Sequence, residues 1–118
     1  MGMSTIFKKI IDREIPADIV YETDDVLAFK DIAPRAPVHI LIIPKKEIAT
    51  VNDVADEDAP VMGQLFVAAK HIAQAQGIAE SGYRLIMNVG DHGGQEVYHV
   101  HLHLIGGHPV GPMTVKKK

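Results

Sequence analysis

His99-Val100-His101-Leu102-His103-Leu104-Ile105 alternates imidazole with aliphatic side chains, and a period of two is the period of a β-strand. The run therefore predicts a strand, drawn from Tyr98 to Ile105, with three imidazoles in a row on one face and Val100, Leu102 and Leu104 on the other. On a helix, residues two apart do not face each other, and the histidines would scatter round the axis.

Three histidines in one segment raise the question of a metal. Residues four apart on a strand lie roughly 13 Å apart, so His99 and His103 cannot both join His101 on one ion with bonds of about 2.1 Å. A two-histidine chelate stays open, but it needs a third ligand from elsewhere, and the chain has no cysteine. No metal and no cofactor is expected. The remaining reading is direct use of imidazole, whose unperturbed pKa lies near neutrality, as nucleophile, acid or base. Crowding disfavours protonation of all three, which leaves the central His101 neutral and nucleophilic toward phosphorus or an acyl carbon.

The residues just upstream favour phosphorus. His92-Gly93-Gly94-Gln95-Glu96-Val97 is a glycine turn leading into the histidine run, where backbone N–H groups can close on an anion without Cβ obstruction. Most Gly-Gly turns are plain loops, and this one has neither Walker nor dinucleotide spacing. Its weight comes from the adjacent histidines.

The rest of the chain reads as one compact α+β domain spanning residues 1–118, with residues 1–3 and 113–118 as flexible tails. Its 118 residues are 47% hydrophobic with a mean hydropathy of +0.07, enough for one core. A formal charge of −3 and a pI near 6.1 supply no basic field for nucleic acid. The absence of cysteine excludes a disulfide framework, and no apolar run reaches the length of a membrane span or secretory leader. The cytoplasm is the expected location, with no membrane partner.

Pattern supplies the elements. Thr5 or Ser4 caps a short helix with Ile6, Phe7, Ile10 and Ile11 at helical spacing, and Pro16 marks its end. Strands follow at Ile19 to Glu22, Val26 to Asp31 and Val38 to Pro44. Val61, Met62, Leu65, Phe66, Ala69, Ile72 and Ala73 then form one apolar helical stripe, preceded by Asp56, Glu57 and Asp58 and closed by Gly77. Tyr83 to Val89 and Tyr98 to Ile105 complete an antiparallel sheet of about five strands with one main helix and the short N-terminal helix.

These blocks, in this order, resemble the Hint branch of the histidine triad (HIT) superfamily of nucleotide hydrolases and transferases. The likeness rests on His99 to Ile105, on Leu27-Ala28-Phe29-Lys30-Asp31-Ile32, on Ala36-Pro37-Val38-His39-Ile40-Leu41-Ile42-Ile43-Pro44, on Tyr83 to Asn88 and on Gly93 to His103. It implies a HIT-like fold, a homodimer, and hydrolysis of purine nucleoside 5′-phosphoramidates through a covalent nucleotidyl-histidine. A dinucleoside polyphosphate hydrolase, a nucleotidyl transferase or a nucleotide-binding regulator on the same fold are its alternatives.

Residue by residue, the resemblance implies that His101 is the nucleophile. His99 and His103 flank it, binding phosphate oxygens and assisting the leaving group, and His39 approaches as a fourth histidine. Asp31 would hold the ribose hydroxyls, Phe29, Ile32 and Ile6 would line a base pocket, and Asn88 with the Gly94, Gln95, Glu96 and Val97 backbone would meet phosphate. Glu96 stands where eukaryotic Hint proteins carry serine. Taken without the family, Asp31 and Asn88 read as turn residues and His39 as a hydrogen-bonded core histidine.

Overall fold

The computed structural model describes residues 5–114. The elements run α1 (Ile6–Ile11), β1 (Ile19–Glu22), β2 (Val26–Lys30), β3 (Val38–Pro44), two 3₁₀ turns at Val51–Asp53 and Asp56–Asp58, α2 (Ala59–Ala75), β4 (Tyr83–Ile86) and β5 (Leu102–Gly106). The five strands form one antiparallel sheet in the order β1-β2-β3-β5-β4, the expected α+β arrangement.

Alternation along β2 and β3 separates two cores. Val26, Ala28, Ile40 and Ile42 face α2, where they pack with Leu102, Leu104, Leu65, Ala69 and Ile72. Leu27, Phe29, Leu41 and Ile43 face the other way and are covered by Phe7 and Ile10 of α1. Cross-strand pairing of Leu27 with Ile43 and of Phe29 with Leu41 sets these rows side by side. The strands are buried on both faces, so they read as continuous apolar runs.

Local chemistry sets the helix ends. Thr5 caps α1, its Oγ1 accepting the Lys8 N–H at 3.2 Å, while Ser4 lies outside the described residues. The helix stops at Ile11, before Pro16, because Arg13 takes a left-handed φ of 63° and the Glu14 N–H closes on the Lys9 carbonyl. The same closure ends α2 with its usual residue: Gly77 has φ 75°, and the Ile78 N–H reaches the Ala73 carbonyl at 3.0 Å.

Three expectations need correction. The histidine strand begins at Leu102, not Tyr98, because its neighbour β3 ends at Pro44, which has no N–H to continue the ladder. Tyr98 to His101 leave the sheet, and His99, Val100 and His101 are all buried. Likewise β4 ends at Ile86, short of Val89, and Phe66 lies 54% exposed beside the stripe it was expected to join. The C-terminal segment turns back to β4, where the Arg84 guanidinium donates to the Gly111 and Pro112 carbonyls. Of the expected tails, residues 1–3 and 115–118 lie outside the described residues, and Met113 is exposed. No described helix is long and apolar enough to cross a membrane.

Candidate active site

The α1 face of the sheet carries the histidines. β3 and β5 pair with His39 opposite Ile105 and Leu41 opposite His103, so His39 and His103 are diagonal neighbours on one face. Their rings meet with His39 Nε2 3.0 Å from His103 Nδ1.

The hydrogen-bond network fixes which nitrogens carry protons. The backbone N–H of Arg35 donates to His39 Nδ1 at 3.1 Å, so that nitrogen is an acceptor and the proton of a neutral His39 sits on Nε2. His39 therefore donates to His103 Nδ1, and His103 carries its own proton on Nε2. His101 is held differently: Nδ1 lies 2.7 Å from the carbonyl of His99, an acceptor, so Nδ1–H donates and Nε2 keeps its lone pair. His99 donates from Nε2 to the Pro44 carbonyl at 2.7 Å, at the point where the sheet ladder gives out.

Burial keeps these rings neutral. His101, His99 and His39 all fall below the usual histidine value, chiefly because charge in this environment loses its solvation. For His101 the bond to the His99 carbonyl and the charges of Asp31 and Glu96 oppose the shift. His103 is pushed down to about 4 by burial, reinforced by His101 and His39. Phe7 of α1 closes the arrangement, its ring edge-on to His101 at 5.0 Å between centroids and to His99 at 6.2 Å.

His101 and His103 open onto a cavity of about 320 Å³. Ile6, Phe29, Asp31, Ile32, Glu96 and Val97, all named from the resemblance, line it. Phe7, Ile10, Ile15, Pro16, Ala17, Lys30 and Leu41 line it too, without having been expected in the site. The helical spacing of Ile6, Phe7 and Ile10 and the alternation of Phe29 and Leu41 were the available signals. His39 stands behind His103, outside the lining, as a buried and hydrogen-bonded histidine. Asp31 makes its expected turn, Oδ1 accepting the Ala33 N–H at 2.8 Å, while Oδ2 lies 3.4 Å from His39 Nε2.

Four residues are placed elsewhere. His99 is almost fully buried and does not line the cavity, because its ring is turned under Phe7 toward Pro44. Asn88, Gly94 and Gln95 also lie outside the lining. The glycine turn is tight: a Cβ on Gly93 would run into the Val89 carbonyl, and Gly94 sits at φ 80°. The Gln95 side chain points away from the cavity and is buried.

Asp31, His39 and His103 are also the residues whose donor atoms, all within 4.8 Å, could hold an ion. Only His103 comes from the histidine run, so this is not a chelate of two run histidines; His39 of β3 and Asp31, just after β2, complete the set. A cation there would have to break the His39–His103 hydrogen bond.

A HIT domain model matches residues 12–110. The chain belongs to the HIT domain family. Among its relatives, the purine nucleoside phosphoramidase of Escherichia coli K12 is 60% identical over 117 residues, covering 99% of this chain and 98% of that protein. A HIT family hydrolase from Legionella pneumophila superposes with a TM-score of 0.89 at 54% identity, over 92% of this chain and 96% of that one. Another from Clostridium thermocellum gives 0.92 at 47% identity, over 98% and 100%. In HIT terms, the triad of this chain divides into two rings that face a cavity and one that buttresses them.

Proposed function

We propose that this HIT domain protein, acting as one domain over residues 1–118, is a hydrolase of purine nucleoside 5′-phosphoramidates. The observation that carries the reading is the tautomer of His101. Its Nδ1–H is committed to the His99 carbonyl, which leaves an unprotonated Nε2 beside the Nε2–H of His103 at the edge of an apolar cavity. The cavity is large enough for a purine base.

In the proposed reaction His101 Nε2 attacks the α-phosphorus as the P–N bond breaks and the amine leaves with a proton taken up on the solvent side. The imidazole becomes cationic in this step, and the His99 carbonyl that accepts its Nδ1–H stabilises that charge. His103 presents its Nε2–H to a phosphoryl oxygen, in an orientation set by His39. Water then cleaves the nucleotidyl-histidine, releasing the nucleoside monophosphate and restoring His101. Phe29, Ile6 and Ile32 would hold the base, Asp31 the ribose, and His99 acts as a positioning residue. Comparing turnover of adenosine and guanosine phosphoramidates with that of a diadenosine polyphosphate tests this reading. Release of monophosphate and amine from the first two is expected, and cleavage of the polyphosphate alone would overturn it.

The same proposal includes a homodimer and a cytoplasmic setting, the latter in keeping with a chain free of cysteine. β4 is an edge strand with no strand paired to its outer side among the described residues. On α2, His71 stacks on Tyr21 of β1, and Phe66 lies about 140° round the helix on the opposite flank. An apolar flank and an open edge on the same side suit a second copy of the chain.

A further inference from the structure

Gln95 is the most heavily bonded side chain of the turn before the histidines. Its Nε2 donates to the Ala49 carbonyl at 2.7 Å and the Val97 carbonyl at 3.0 Å, while Oε1 accepts the Gly90 N–H at 2.9 Å. Its own backbone N–H reaches the Gly90 carbonyl at 3.0 Å. The orientation of the amide is forced, since a flip would set oxygen against two carbonyls and nitrogen against an N–H. Glutamate lacks the donors, and asparagine is one methylene short.

The bond to Ala49 ends on the stretch that anchors the histidines. The Pro44 carbonyl takes His99, the Ile48 carbonyl takes the Val100 N–H at 2.7 Å, and the Ala49 carbonyl takes Gln95. The residues directly after Gln95, Glu96 and Val97, face the cavity. One short segment, Pro44 to Ala49, thus holds both the run carrying His101 and the residue directly before the Glu96–Val97 wall.

We propose that Gln95 is a positioning residue, a clamp that sets the Glu96–Val97 wall in register with His101, and not a substrate ligand. The proposal rests on the phosphoramidase reading. Releasing the clamp lets the wall shift while His101 keeps its own bonds, so the chemical step suffers more than nucleotide binding. A misplacement of about 1 Å in such a site costs turnover on the order of 10²-fold.

Gln95→Met keeps the volume without the hydrogen bonds, and Gln95→Glu keeps only the acceptor. Single-turnover rates at saturating phosphoramidate, measured well below each variant's Tm, should fall on the order of 10²-fold with adenosine monophosphate affinity little changed. A double-mutant cycle with Glu96→Gln should be less than additive, because both changes act on one wall. Unchanged rates, or equal losses of rate and affinity that add to Glu96→Gln, would overturn the clamp. Should neither variant fold, amide exchange at Gly90 in the wild-type chain decides: protection is expected, and rapid exchange contradicts the clamp. A wild-type chain that turns over no phosphoramidate defeats the activity reading instead, and Gly90 exchange still reports on the clamp.

Discussion

His39 Nε2 lies 3.0 Å from His103 Nδ1, and the Arg35 backbone N–H behind it fixes the direction of that hydrogen bond. The loop between β2 and β3 thereby dictates that His103 shows the cavity a donor. Without His39, either nitrogen of His103 can carry its proton.

His39→Ala should therefore lower kcat on the order of 10-fold to 10²-fold, less than outright removal of a transition-state donor. His39→Gln, whose amide N–H can still donate to His103 Nδ1, should retain more activity than the alanine variant. Steady-state kinetics of the two variants checks the order, and equal losses would mean that His39 serves only as packing.

The depressed histidines set the pH behaviour. The rate should stay level as pH falls through 6.5, the ordinary histidine value, since burial holds His101 neutral below it. Stability should behave otherwise. Above pH 6.5 these imidazoles are neutral in the folded and unfolded chains and contribute no slope. Between 6.5 and about 4 the unfolded chain binds protons that folded His103 refuses, so stability falls as pH falls across that window. Urea midpoints measured from pH 7.5 to 4.5 should decline, and a flat profile would contradict neutral burial.

Glu96 is exposed on the cavity wall, where its charge draws the pKa of His101 upward. A carboxylate there suits the amine side of the substrate better than the phosphate side. Glu96→Gln should slow phosphoramidates of basic amines more than those of neutral, activated ones, without weakening monophosphate binding. Matched kinetics on two such substrates checks this, and an equal effect on both reduces Glu96 to a nearby negative charge.

The residues whose environment is local were legible in the sequence. Alternation predicts Leu102 and Leu104 in the core and His101 and His103 away from it, and both histidines line the cavity, while His99, beyond the ladder, does not. The end of that strand was not legible, since it depends on Pro44 of a neighbour 55 residues away from the histidine that fills its place. Asp31 and His39 read by themselves as a turn residue and a core histidine, and the structure shows both of those things. Phe7 was visible as a helix residue, yet its contact with His101 joins the two ends of the chain, and no spacing rule reaches that far. The resemblance speaks only of the Gln95 backbone; its side chain, buried and bonded to Gly90, Ala49 and Val97, answers to a partner 46 residues away that no local pattern reveals.

The central claim is that His101 Nε2 becomes bonded to phosphorus. Acid quench of a single turnover with adenosine phosphoramidate, followed by peptide mass analysis, should find the nucleotidyl group on His101 at early times and lose it as monophosphate accumulates. His101→Ala should form no adduct and turn over on the order of 10⁴-fold more slowly, while still binding monophosphate. Product formed at the normal rate with no adduct on His101, or by the alanine variant, would contradict it.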